Sequence, residues 1–232
     1  MNRKTKAYKS MAASGQHGAL LRERVKEKRR SIYLHAVNEA AERIFAAKGV
    51  DDSRMPEIAA EAGISLGTLY GVIDGKESLY AGIHRIRIRE FLDCICEASE
   101  TIEGTLERHL AVLRSGSRYF LEHADFLRMH CREGNGWAVS FPTYGAGEVP
   151  WREGTAILQE LFVRGIEEQV YVEDDPELLV RKMLALQQVE LMHWVMRGMS
   201  TPHETVLERL EAQFLRAFCT LELQRVRVGQ PA

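Results

Sequence analysis

Apolar residues recur along this chain at intervals of three and four, and no window alternates strictly between apolar and polar. The pattern therefore predicts helices throughout and no strand. From Ser31 to Lys48 the spacing puts Ile32, Ala36, Ala40, Ile44 and Phe45 on one face, and Gly49 stands where a helix would end. A short helix follows to Ala62, capped by Ser53, with Pro56 tolerated in its first turn. Gly63 breaks the chain, Ser65 caps a second short helix to about Val72, and Asp74-Gly75 turns into a long helix from Lys76 to the Cys94–Ala98 region. Further helices are predicted at about 104–122, 124–133, 151–171, 176–198 and 203–226, with Pro176 and Pro202 at helix starts. Residues 134–150 hold four glycines with Trp137, Phe141 and Tyr144 and read as a loop carrying aromatics. The expected fold is all-α, a small N-terminal unit and a larger helical bundle, about nine helices together.

With 232 residues the chain can bury a sizeable core. No apolar run reaches the length of a membrane span, and no apolar segment follows the basic start, so neither a membrane helix nor a secretory signal is expected. Four irregularly spaced cysteines, Cys94, Cys96, Cys131 and Cys219, suit a reduced cytoplasmic protein better than a disulfide scaffold.

The net charge of −2 hides a strong asymmetry. Residues 1–30 carry ten basic residues and two acids, a balance of +8, and residues 31–76 carry −3. A basic arm on an acidic body fits a polyanionic partner, although a solvated tail would show the same charge. Residues 1–19 lack periodicity and read as a flexible arm; the charged, helix-favouring stretch 20–30 could extend the first helix.

The segment Ile58 to Tyr70 sharpens that choice. Ala59, Gly63 and Leu69 stand at spacings that a helix-turn-helix requires: a small residue where two helices meet, a glycine for the left-handed turn and an apolar residue to seal the pair. The second helix would present its N-terminal residues to a major groove. Ala40, Phe45 and Gly49, then Ile58 to Ser65, Gly67 to Tyr70, and Lys76 to Leu79, resemble the TetR family of one-component transcriptional regulators over residues 31–85.

That resemblance implies a three-helix DNA-binding head at 31–78 behind a basic arm at 1–30, and a dimerising bundle with a ligand cavity at 79–232. It places Ser65, Leu66, Gly67, Thr68 and Tyr70 on the DNA-facing side and Lys76 on a phosphate. Val72 departs from the family pattern and cannot donate to a phosphate. With an acidic head, Arg29 and Arg30 are expected to assist on DNA, since phosphate neutralisation dominates affinity.

For a small-molecule effector the candidates are Met183, Gln187, Glu190 and Trp194 on one helical face, with Phe126, His130, Trp137, Tyr144 and Trp151 as an aromatic wall. The same residues could equally serve as core or face solvent. Leu207, Leu210, Phe214 and Leu221 form an apolar seam, which either packs on the bundle or meets a second copy; the resemblance favours a homodimer interface. Catalytic signatures are absent from the sequence: His123, His130 and Cys131 match no common zinc spacing, and there is no phosphate loop or nucleophile elbow. No cofactor, metal or enzymatic activity is expected. The reading is a ligand-responsive repressor of double-stranded operator DNA; the alternative is a helical-bundle enzyme or carrier that retains a helix-turn-helix.

Overall fold

The computed structural model describes the backbone of residues 3–132 and 148–228. Ten helices follow in order: α1 (Arg3–Lys48), α2 (Met55–Glu61), α3 (Leu66–Tyr70), α4 (Lys76–Glu100), α5 (Thr105–Glu122), α6 (Ala124–Arg132), α7 (Glu148–Glu167), α8 (Pro176–Met196), α9 (His203–Phe218) and α10 (Leu221–Val228). Among the described residues no strand forms, and the one β-bridge joins Tyr171 to Cys219. No helix among them is long and apolar enough to cross a membrane.

Two compact units result. The first comprises residues 1–41 and 53–79, and the second residues 42–52 and 80–232. In the first unit, α1 is far longer than its apolar face. Val37, Ala40 and Ala41 are buried, one turn apart on one side, whereas Ile32 is 58% exposed and does not join the predicted core face. Residues 3–19 are helical as well, so the expected flexible arm is instead an extension of α1. Alanines, lysines and arginines favour a helix without needing a core to pack on, which is why apolar periodicity missed it.

The tight hairpin of α2 and α3 forms much as its sequence demands. The cap of α2 falls one residue later than predicted: Arg54 holds the extended backbone and its N–H donates to Glu57 Oε2 at 3.3 Å, while Ser53 is buried. Pro56 sits in the first turn, where no amide is needed. Gly63, at φ +69°, reverses the chain, and Ile64 N–H returns to the Ala59 carbonyl at 3.0 Å. An L-residue with a Cβ would be strained there. Ile58, Ala59 and Leu69, all buried, close the hairpin.

In the second unit α5 is central, contacting α6, α7, α8 and α9. Asp175 caps α8 by accepting from Glu177 N–H at 2.9 Å, and Pro176 starts the helix. Helix α7 stops at Glu167 rather than near residue 171, since Gln169 turns at φ +59°. The predicted last helix is two helices. Val172 N–H donates to the Phe218 carbonyl at 2.9 Å and Thr220 N–H to the Val170 carbonyl at 3.0 Å, so the α7–α8 connection pairs with the chain and interrupts it at Cys219.

Candidate DNA interface and effector cavity

Helix α3 is built to be presented rather than buried. Ser65 caps it, its Oγ accepting from Thr68 N–H at 3.1 Å and lying 2.8 Å from Thr68 Oγ1. Leu69 is the residue that anchors it, at 0% exposure, while Leu66 and Tyr70 are 39% and 54% exposed. Ser65 and Gly67 are exposed and Thr68 half-buried, so the structure brings all five predicted DNA-facing residues to one short, mostly uncovered helix. Lys76, predicted to meet a phosphate, donates from Nζ to the Ser53 carbonyl at 3.3 Å. That bond ties the start of α4 to the α1–α2 connection.

Along the first unit, α1 faces the end of α3 across a groove. Leu21, Arg22, Val25, Lys26, Arg29, Arg30 and Tyr33 form one wall; Thr68, Gly71 and Val72 form the other. Arg29 and Arg30 thus border the groove beside the recognition helix, with Arg22 and Lys26 two turns and one turn earlier. The position of these cations beside α3 depends on α1 continuing as a helix, a feature the sequence left open.

The second unit holds a narrow apolar slot between α4, α5, α7 and α8. Successive turns of α4 supply Ile88, Phe91, Leu92 and Ile95; α5 supplies Val112, Leu113, Gly116 and Phe120; α7 and α8 complete it with Gly154, Thr155, Leu158, Met183, Leu184 and Gln187. Gly116 and Gly154 allow the helices to approach closely: a Cβ on the first would lie 2.9 Å from Phe91, and on the second 3.0 Å from Leu92.

Of the predicted ligand residues that are described, Met183 and Gln187 line this slot. Glu190 lies 2.5 Å from the Arg209 guanidinium and accepts from Gln213 Nε2 at 3.1 Å, so its charge is committed to α9. Trp194 donates from Nε1 to the Thr201 carbonyl at 2.9 Å and packs on His203, which makes it structural. Phe126 and His130 belong to a separate buried cluster: His84 stacks near Tyr80, Phe126 and His130 at centroid separations of 4.5, 5.3 and 5.2 Å. Burial, with His130 adding to it, pushes His84 down to about 3, and burial pushes His130 to about 4. Trp137, Tyr144 and the side chain of Trp151 lie outside the described residues.

The predicted dimer seam also turns inward. Leu207, Leu210 and Phe214 are 1–2% exposed within a single chain; α9 packs this face on α5 and α8. Each such side chain contributes about 1.5–3 kcal/mol by leaving water, so opening the seam to a partner would dismantle the core. Leu221, in contrast, is 71% exposed at the start of α10. Of the remaining sequence candidates, Cys94 Sγ lies 2.9 Å from Ser115 Oγ and burial pushes the Cys131 thiol up to about 11; among the described residues no set of three metal-ligating side chains converges.

A tight two-helix hairpin with a capped, exposed second helix defines a helix-turn-helix DNA-binding head. Residues 37–83 match the family model of the bacterial regulatory proteins of the tetR family. No curated protein sequence matches significantly. Among solved structures the fold resembles the ketosteroid transcriptional regulator KstR2 of Mycobacterium tuberculosis, with TM-score 0.68 and 21% identity, covering 83% of this chain and 95% of that one. The TetR family transcriptional regulator PfmR from Thermus thermophilus is similar at TM-score 0.65 and 22% identity, over 78% of this chain and 97% of that one. The transcriptional regulator FadR from Bacillus subtilis, solved in complex with stearoyl-CoA, gives TM-score 0.65 at 16% identity, over 78% and 97%. The expected all-helical fold therefore extends through the bundle.

Proposed function

We propose that this protein is a ligand-responsive transcriptional regulator, a cytoplasmic homodimeric repressor that leaves its operator when a small molecule enters the bundle. The observation that carries the reading is the exposed face of α3, with Tyr70 and Leu66 uncovered on a helix anchored by Leu69 alone. A helix presented in that way inserts its side chains into a major groove. The cations bordering the groove beside it, Arg22, Lys26, Arg29 and Arg30, supply the phosphate neutralisation that the acidic head lacks. The slot in the second unit gives an effector a place, and a related fold solved with stearoyl-CoA supports a small-molecule ligand there. Ligand entry would favour a spacing of two heads that no longer fits successive major grooves.

With Leu207, Leu210 and Phe214 in the core, the second copy is assigned to the outer face of α8, where Val189 and Met196 are 68% and 80% exposed. Met192 lies on the same side of that helix. A gel shift with the DNA flanking its own gene tests the reading: a shift at low salt that a bound ligand abolishes supports it, and the absence of any shift overturns it in favour of an enzyme or carrier.

A further inference from the structure

The core-facing side of α1 does not stop where the core stops. Val37 and Ala40 lie on it, fully buried, and at helical spacing the same side continues towards the N-terminus through Tyr33, then Arg30, Arg29, Lys26 and Arg22. One turn before Val37 the side chain is therefore a tyrosine, 38% exposed, and beyond it the side turns basic. A tyrosine suits such a joint, because its ring tolerates apolar neighbours while its hydroxyl seeks a wet partner. Across the groove the end of α3 presents Thr68, Gly71 and Val72. Gly71 and Val72 carry no side-chain donor, and Thr68 Oγ1 already lies 2.8 Å from Ser65 Oγ. An anion at the end of α3 thus finds its side-chain donors on α1. Among the described residues of that wall, Tyr33 is the neutral donor beside four cations. Glu23 stands 3.9 Å from one of these, Lys26 Nζ, with both side chains well exposed. Leu21 and Val25, 48% and 52% exposed, border the same wall next to Arg22 and Lys26. Apolar and cationic positions therefore recur together at each turn, as sugar and phosphate recur along a nucleic-acid strand.

We infer that one strand of the operator runs along this groove, its sugars against Leu21 and Val25 and its phosphates against the cations, and that Tyr33 fixes the register by donating its hydroxyl to the phosphate beside Val72. This rests on α3 being the DNA-reading helix, and it goes beyond neutralisation. Flexible cations attract whichever phosphate is near, whereas a single hydroxyl at the joint between α1 and α3 takes one particular phosphate and so positions the recognition helix.

The test is a gel-shift titration of the full chain on the shortest flanking fragment that it shifts, repeated over a series of salt concentrations. Tyr33→Phe keeps the ring and removes only the hydroxyl. It should bind roughly tenfold more weakly at every salt concentration. Its slope of log affinity against log salt should match the parent's, because a neutral donor displaces no counterion; Arg29→Gln should flatten that slope by about 1. A second measurement changes the DNA and leaves the protein intact. With a single methylphosphonate linkage moved along the fragment, one position should weaken the parent roughly tenfold more than it weakens Tyr33→Phe. Equal binding by parent and Tyr33→Phe, a flatter slope in that variant, or the absence of any linkage whose effect depends on the hydroxyl overturns the proposal and leaves the helix-turn-helix reading standing. A parent that shifts no fragment even at low salt overturns that reading, and this one with it.

Discussion

Arg87 and Glu42 form a two-pronged ion pair, Nε donating to Oε2 at 2.8 Å and Nη2 to Oε1 at 3.2 Å. It fastens the last turns of α1 to α4 within the second unit, and it does so with little water: the side chains are 21% and 7% exposed. Arg87 Nη1 also reaches Glu90 at 3.0 Å, and Glu90 accepts from Tyr119 Oη at 2.8 Å. Burial works against the guanidinium charge, but the bonds to and charge of Glu42 and Glu90 outweigh it and hold Arg87 firmly protonated. The same burial acts against Glu90, which the Tyr119 hydroxyl and Arg87 nevertheless keep ionised below its ordinary range.

Removing one partner strands the other. Arg87→Met leaves the Glu42 carboxylate buried without its cation and should cost about 3–5 kcal/mol, read as a lower urea midpoint. Adding Glu42→Gln to it removes the stranded charge and should restore much of the loss. Equal stability of the single and double variants would show that the pair is fully solvated instead.

Three buried histidines make the fold sensitive to acid. Burial holds His109 at about 3, with Nδ1 3.0 Å from Tyr171 Oη and Nε2 3.2 Å from Met183 Sδ; His84 stands at about 3 and His130 at about 4. All three lie below the unfolded value of 6.5. Below pH 6.5 the unfolded chain therefore binds protons that the folded chain refuses, and stability falls as pH drops towards the folded values. Between pH 7.5 and 5.5 each histidine should remove about 1.4 kcal/mol, about 4 kcal/mol together. Urea unfolding at the two pH values measures this, and His130→Asn should lessen the drop by its own share.

On the recognition helix, burial separates reading from folding. Tyr70→Ala, on a side chain 54% exposed, should abolish specific operator binding with little change in stability, within about 0.5 kcal/mol. Leu69→Ala, at 0% exposure, should cost about 2–5 kcal/mol and lose DNA binding only because the hairpin loosens. Anisotropy with operator DNA, paired with thermal melts, distinguishes the two; a Tyr70→Ala protein that binds normally would move the reading face elsewhere.

The groove beside α3 predicts a salt dependence. Arg22, Lys26, Arg29 and Arg30, each set on a phosphate, would contribute about 3–4 to the slope of log affinity against log salt. Replacing the four by glutamine keeps α1 helical and should flatten the slope by that amount. An unchanged slope would make the basic stretch a solubility feature.

The helix-turn-helix was legible because its determinants are local. Gly63 for a left-handed turn, Ser65 for a cap and Leu69 for the seal act within a dozen residues, and each stands in the structure as its chemistry required. Other features depend on distant partners. The break at Cys219 comes from pairing with Tyr171, invisible to a helical period that runs unbroken through Leu221. The slot is lined by Ile88, Leu92 and Ile95, whose spacing is that of any core helix; polarity drew attention to Glu190 and Trp194, which serve α9 and the turn after α8. Periodicity also tells that Leu207, Leu210 and Phe214 share a face, but not whether their own bundle or a second copy covers it.

That last distinction yields a test of assembly. Phe214→Arg would bury a charge in the protomer core and unfold the chain, so it cannot report on dimerisation. Val189→Glu with Met196→Glu changes only the outer face of α8, where both side chains are well exposed in the single chain. If a second copy covers that face, the double variant should be monomeric by light scattering at concentrations where the parent is dimeric, while keeping its circular dichroism. Its operator affinity should then fall by far more than two surface changes remote from α3 would explain, because one head grips one half-site where two gripped both. A variant that stays dimeric would relocate the contact to the exposed residues of α9 and to Leu221 on α10.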